Sequence, residues 1–230
     1  VKVCAILLCA GQGRRLGAGI AKALAPLAGR PLFAWPLATL QHCAAIHGVV
    51  VVGPVKPMRE ASLAAGLPAD KIVAWVDGGR ERHESVARGL AAVPAEFGLV
   101  AVHDCARALV SAALVSRVVA DAMAHGAAIA AVPLDDTLKR ATLGVVDDTV
   151  PREGLWRAQT PQVFRRDWLE EAHRTKASGA TDDAALVEAL GRRVHLSEGE
   201  SLNIKITSPA DLAVAEAWIE AESARNDTRR

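Results

Sequence analysis

The sequence predicts an α/β protein: a mostly parallel sheet with helices on both faces and a protruding β-arm. Three observations predict it. Short apolar, β-branched runs alternate with Ala/Leu-rich amphipathic segments through the first two-thirds of the chain, the rhythm of repeated βαβ units. Those runs are apolar at nearly every position, as strands covered on both faces require. The rhythm then breaks at 134–155, where Asp135-Asp136-Thr137-Leu138-Lys139-Arg140, a turn at Gly144, Val145-Val146 and Asp147-Asp148-Thr149-Val150-Pro151 read as a hairpin too polar to cross a core.

Strands are expected at 3–9, 48–52, 71–76, 99–103 and 127–132, with helices between them. Gly29-Arg30-Pro31 is expected to open a helix, and Ser111 to cap the one that runs to His125. Beyond the arm come helices at 166–176 and 182–190, a strand at 193–197, and a final helix capped at Ser208 with Pro209 in its first turn. Thr181 reads as an N-cap. The polar tail beyond Ala224 is expected to fray. No internal repeat, low-complexity tract or linker divides the chain, so 1–230 reads as one domain with the 134–155 arm inserted in it. An arm that cannot bury its apolar side alone suits packing on a second subunit, hence a homodimer; an ordinary surface excursion is the other reading.

With 51% of its 230 residues hydrophobic, the chain can bury a substantial core. A formal net charge of +1 gives no basic surface for nucleic acid and favours a small anionic substrate. Cys4, Cys9, Cys43 and Cys105 show no C-x-x-C spacing and sit in apolar or tightly structured stretches, which suits reduced, buried thiols in a cytoplasmic protein. No apolar stretch has the length of a membrane span, and the first strand lacks the marks of a signal peptide.

In an open α/β sheet, ligands bind outside the carboxyl ends of the strands, so the residues after each strand carry the functional signal. The first strand runs into Ala10-Gly11-Gln12-Gly13-Arg14-Arg15-Leu16-Gly17, with Lys22 beyond. Glycines let backbone N–H groups approach a polyphosphate and the cations neutralise it; a bare strand-to-loop turn would need no Arg14, Arg15 or Lys22. Leu16 stands where a dinucleotide fingerprint needs glycine, and no Gly-Lys-Ser/Thr of a P-loop follows. A second glycine loop, Asp77-Gly78-Gly79-Arg80-Glu81-Arg82-His83-Glu84-Ser85, can meet a ligand through its backbone and Ser85, or be the solvated start of a helix. Asp104, at the end of an apolar strand in Val102-His103-Asp104-Cys105-Ala106-Arg107, can hold Mg²⁺ beside a triphosphate or cap the next turn. His103 is read as hydrogen-bonded structure and Cys105 as a small core residue. Arg152, Thr160 and Lys205 are residue types suited to a phosphorylated small molecule.

Taken in order, the opening G-x-G-R-R with its downstream lysine, Asp-Gly-Gly-x-x-Arg, Val-His-Asp-x-Ala-Arg, Asp-Thr-x-Lys, Gln-Thr-Pro-Gln and Asn-Ile-Lys-Ile-Thr resemble the 2-C-methyl-D-erythritol 4-phosphate cytidylyltransferase family over essentially the whole chain. The resemblance implies a Rossmann-like nucleotidyltransferase domain that dimerises through its arm and makes 4-diphosphocytidyl-2-C-methylerythritol from CTP for isoprenoid-precursor synthesis. It implies Arg15 and Lys22 as catalytic cations on the triphosphate, Ala10, Gly11 and Gly13 in the phosphate loop, and Gly78, Gly79 and Ser85 around cytosine and ribose. Asp104 is implied to hold Mg²⁺ or orient substrate. Arg107, Thr160 and Lys205 are implied to bind methylerythritol phosphate, with Thr137 and Arg152 supplied by the partner's arm.

Ala21, Ala23 and Ala108 depart from the proline, glutamine and proline common in the family, leaving the charges intact. Two other readings keep to different acceptors or classes: a pentitol (ribitol 5-phosphate) cytidylyltransferase, and a nucleotide-binding regulatory module without catalysis. The presence of Arg15, Lys22 and Asp104 together argues against the second. Lys22-Ala23-Leu24 is also similar to guanylyltransferases of molybdenum-cofactor synthesis, a likeness that stops after the opening loop.

Overall fold

The computed structural model describes residues 1–11, 21–176 and 180–227. Its first half is the expected alternation: β1 (Lys2–Leu8), α1 (Ala34–His42), β4 (Gly48–Val52), α2 (Val55–Ala64), β5 (Ile72–Val76), α3 (Arg82–Ala91), β6 (Phe97–Asp104), α4 (Ala112–His125) and β7 (Ala127–Pro133). Two short strands, β2 (Pro26–Leu27) and β3 (Arg30–Pro31), pair with each other before α1. The second half holds β8 (Leu138–Thr142), β9 (Val145–Val150), β10 (Trp156–Arg165), α5 (Arg166–Lys176), α6 (Asp183–Glu188), β11 (His195–Glu198) and α7 (Pro209–Asp227).

The main sheet has seven strands in the order β11-β7-β10-β6-β1-β4-β5. All neighbouring pairs run parallel except those of β10, which is antiparallel to both β6 and β7. Why β1 is apolar throughout is visible in its packing. Val3, Ala5 and Leu7 join a core with Leu37 and Leu40 of α1, Leu114 and Val118 of α4 and Ile219 of α7. Cys4, Ile6 and Leu8 join the opposite one with Val86 of α3, Leu169 of α5 and Leu186 of α6. Alternate side chains serve opposite faces, and both faces are covered.

Local signals place several ends. The Ser111 hydroxyl accepts from the Leu114 N–H at 3.0 Å, and Gly126, at φ 87°, closes α4. Ser208 and Asp211 cap α7 reciprocally: the Asp211 N–H donates to Ser208 Oγ at 3.2 Å and the Ser208 N–H to Asp211 Oδ2 at 2.8 Å.

Four expectations need correction. Gly29-Arg30-Pro31 does not open a helix, because Ala28 and Gly29 turn through left-handed conformations, φ 45° and 75°, and Arg30–Pro31 pairs back on Pro26–Leu27; α1 starts at Ala34. The cap of α6 is Asp182 rather than Thr181: its carboxylate accepts from the Ala185 N–H at 3.0 Å and from the Gln162 amide at 2.8 Å. α7 continues past Ala224 to Asp227. Finally, 156–165 is a ten-residue strand in the middle of the sheet, where the sequence showed only ligand-type motifs.

The 134–155 arm forms as expected, β8 pairing antiparallel with β9. It stands clear of the main sheet, with Leu143 fully exposed and Val145 and Val146 also exposed. At its base the Leu134 N–H donates to the Leu155 carbonyl at 3.0 Å.

Candidate active site

Parallel β1, β4, β5 and β6 all end on one side of the sheet, and a cavity of about 250 Å³ opens there. The end of β1 and the residues after it contribute Leu8, Ala10 and Gly11; the second glycine loop and the first turn of α3 contribute Gly79, Arg80, Glu81, Arg82 and Ser85; the end of β6 and the residues after it contribute Asp104, Cys105 and Ala106; Lys22 and Lys205 complete the wall. Lys22 is placed by a single turn of 3₁₀-helix, Lys22–Leu24, and its N–H donates to the Gly11 carbonyl at 3.3 Å across the base of the opening loop. Gly13 and Arg15 lie outside the described residues.

The second glycine loop is built by its own polar groups. The Gly79 N–H donates to Ser85 Oγ at 3.0 Å, that hydroxyl donates to the Glu81 carbonyl at 3.1 Å, and the Arg80 N–H donates to Glu84 Oε2 at 2.7 Å. Arg88 donates to the Gly78 carbonyl at 2.7 Å. Gly78 has to be glycine, since a Cβ there would lie 2.2 Å from the Cβ of Ala10. The two ligand loops touch at that point.

Asp104 is the electrostatic centre. Only 8% exposed, its carboxylate meets Arg82 Nε at 3.2 Å through Oδ1 and Lys205 Nζ at 2.7 Å through Oδ2. Burial by itself would raise its pKa; the charges of Arg82 and Lys205 outweigh burial and hold it at about 2, so the group is ionised. Among the described residues no group of three or more His, Cys, Asp and Glu could hold a metal ion by itself.

Behind Asp104, His103 is fully buried. Its Nε2 lies 3.2 Å from the Arg107 carbonyl, which only accepts, so Nε2 carries the proton and Nδ1 accepts from the Thr160 hydroxyl at 3.0 Å. Thr160 Oγ1 in turn accepts from the Asp104 N–H at 3.1 Å. Burial pushes His103 down to about 4, against the pull of the neighbouring Asp104 charge. His103 is thus the hydrogen-bonded structural residue its position suggested. The Gln-Thr-Pro-Gln motif works the same way: Gln159 holds Asn203 and Glu200 through its side-chain amide, and Gln162 holds Asp182 and the Ala184 N–H. Thr160, expected on the acceptor, is 5% exposed and commits its hydroxyl to His103 and Asp104.

A second cavity, about 240 Å³, adjoins the first, and Lys205 lines both. Arg107 and Arg157 line it too, with Gln159 and Ser201. The Arg107 guanidinium is fixed by donating to the Asn203 carbonyl at 2.7 Å and the Ala158 carbonyl at 3.1 Å. Burial lowers the Arg107 pKa against the pull of Asp104, so its charge is costly to hold without an anion. Arg157 pairs with Asp135 at 3.2 Å and is not marked by any motif; only its place two residues before Gln159, on a strand the sequence did not reveal, brings it here. Thr137 and Arg152 are exposed at the root of the arm and line neither cavity of their own chain.

Two cavities at the carboxyl ends of the strands, one walled by glycine loops and one by cations, meet at a shared lysine, as donor and acceptor must in a nucleotidyltransferase. That class is what the fold and the site define together.

The chain belongs to the IspD family, 2-C-methyl-D-erythritol 4-phosphate cytidylyltransferase, whose family model matches residues 3–221. It is 44% identical to the 2-C-methyl-D-erythritol 4-phosphate cytidylyltransferase of Pelotomaculum thermopropionicum over 232 aligned positions, covering 97% of each chain. It is 43% identical to that of Prochlorococcus marinus, covering 93% of this chain and 96% of the relative. The crystal structure of the Thermus thermophilus enzyme of the same name superposes with a TM-score of 0.78 at 39% identity, covering 95% of this chain and 98% of the other. Among the described residues no helix is long and apolar enough to cross a membrane.

Proposed function

We propose that the chain transfers the cytidylyl group of CTP to 2-C-methyl-D-erythritol 4-phosphate, giving 4-diphosphocytidyl-2-C-methylerythritol and pyrophosphate in the non-mevalonate isoprenoid pathway. The observation that carries this reading is Lys205, which ion-pairs with Asp104 in the nucleotide cavity and lines the basic cavity beside it. A cation at that junction faces the place where an acceptor phosphate oxygen attacks the α-phosphorus. The P–O bond to pyrophosphate breaks as the new one forms, and charge builds on the leaving group. Lys22, and Arg15 from the opening loop, stabilise that charge; Ala10, Gly11 and Gly13 bring backbone N–H groups to the phosphates. Gly78, Gly79 and Ser85 shape the cytosine and ribose pocket. Arg107, Lys205 and Arg157 receive the acceptor phosphate, and Thr160 supports them by fixing Asp104 and His103.

Mg²⁺ suits this site. It takes one or two protein carboxylates and fills its remaining positions from phosphates and water, and Asp104 offers one ionised carboxylate on the cavity wall. Bound there with CTP, the ion would neutralise triphosphate charge. Thr137 and Arg152 complete the acceptor site of a second copy, the exposed Leu143, Val145 and Val146 of the arm being the apolar surface that a homodimer covers. Four buried, unpaired cysteines suit the reducing cytoplasm.

The test is pyrophosphate release with Mg²⁺ and CTP, comparing methylerythritol phosphate with ribitol 5-phosphate as acceptor. Release with the first alone is expected; release with ribitol 5-phosphate alone would move the acceptor, and CTP binding with no release would remove the catalytic reading. Sedimentation of Leu143→Asp against the unaltered chain tests the arm, with a dimer expected only for the latter.

A further inference from the structure

Arg82 sits between two carboxylates that belong to different parts of the fold. On the cavity side its Nε meets Asp104 Oδ1 at 3.2 Å; on the other, its Nη1 meets Asp183 Oδ2 at 2.7 Å. Asp183, the first residue of α6, has no exposed surface and lines neither cavity. Its second oxygen, Oδ1, lies 2.9 Å from Nε2 of the nearly buried His173 on α5. The chain Lys205–Asp104–Arg82–Asp183–His173 therefore runs from the junction of the two cavities to the packing between α5 and α6. A carboxylate taken fully out of water needs a partner of this kind, and Asp183 has two.

The two cations on Asp104 differ in how they are held. Lys205 is half-exposed on a flexible stem; Arg82 is held by a planar fork whose other arm is fixed to a buried anion. We infer that Arg82, anchored from behind by Asp183 and His173, is the positioning residue that fixes Asp104 in its cavity orientation, leaving Lys205 as the cation that can change partners when substrate enters. Asp183 acts through Arg82 and touches no substrate.

The assay rests on the cytidylyltransferase reading, and the unaltered chain separates the two ideas: no CTP-dependent pyrophosphate release from it would sink that reading, whereas equal rates in it and the variants would sink only this one. Asp183→Asn keeps shape and removes the anchoring charge. The expected result is a fall in kcat of tenfold or more, with the KM for CTP, and metal-free CTP affinity measured by calorimetry, within about threefold of the original. Arg82→Met is expected to lose at least as much, and Arg82→Lys to recover part of the loss, since a lysine keeps the charge without the fork. Unchanged kcat in Asp183→Asn overturns the anchoring. A loss of kcat that merely tracks a smaller active fraction, read by active-site titration, assigns Asp183 a structural role and overturns it equally. If Asp183→Asn does not fold, Arg82→Met decides alone: unchanged kcat overturns the positioning role, and reduced kcat with unchanged metal-free CTP affinity supports it.

Discussion

His103 ties stability to pH through one buried ring. In the unfolded chain it titrates near its ordinary 6.5; in the fold, burial holds it at about 4. Below about pH 6.5 the unfolded state takes up a proton that the folded state refuses, so stability falls as pH drops and levels off once pH passes about 4. At 1.36 kcal/mol per pH unit, that gap is worth about 3 kcal/mol. The structure supplies the reason. Nδ1 accepts from Thr160 and Nε2–H donates to the Arg107 carbonyl, so a second proton would meet a hydroxyl already oriented as a donor, at a ring fully shielded from solvent. Asp104 contributes in a lower window, its stabilisation being lost only as pH falls below about 4 towards about 2. Urea unfolding at pH 7.0, 5.5 and 4.5 would be compared for the unaltered chain and His103→Gln, which cannot titrate. The six other histidines are common to both, so the difference in pH dependence isolates this ring. The unaltered chain should lose about 2–3 kcal/mol more than the variant between pH 7.0 and 4.5; parallel curves would refute the buried neutral imidazole.

Lys22→Ala should lower kcat by about 10²–10³-fold, the usual cost of removing a preorganised charge from a transition state, and steady-state kinetics would show it. Gly78→Ala forces two backbone-borne carbons apart at the contact with Ala10, and displacement of the ligand loops by about 1 Å should cut kcat/KM on the order of 10–100-fold. In the native protein Cys4 and Cys9 should resist a disulfide reagent for hours at pH 8, because burial pushes the Cys4 thiol up to about 12 and raises Cys9 as well; denaturation should release both, as absorbance of the liberated thiolate would record.

The parallel core was legible because β1, β4, β6 and β7 carry their signal in consecutive apolar residues. β10 was not, for a physical reason: Gln159, Thr160 and Gln162 are polar yet buried, their side chains satisfied by loops that only the finished fold brings near. A strand whose interior is made of hydrogen bonds does not look like a strand in one dimension. The same distance effect hid the site's supports. Arg82 and Asp183 are 101 residues apart, and so are Asp104 and Lys205. The motifs picked out Asp104, Lys205, Gly79 and Lys22, which the fold brings to the wall of one cavity, while the partners that hold them needed three dimensions.

The closed base of the arm, where Leu134 bonds to Leu155, lets the 20 or so intervening residues be exchanged for a tight turn without unthreading the sheet. Thr137 and Arg152 sit on that excursion, so on the dimer reading proposed above its loss is expected to remove the assembly surface and two acceptor contacts together, while both cavities of the chain itself keep their walls.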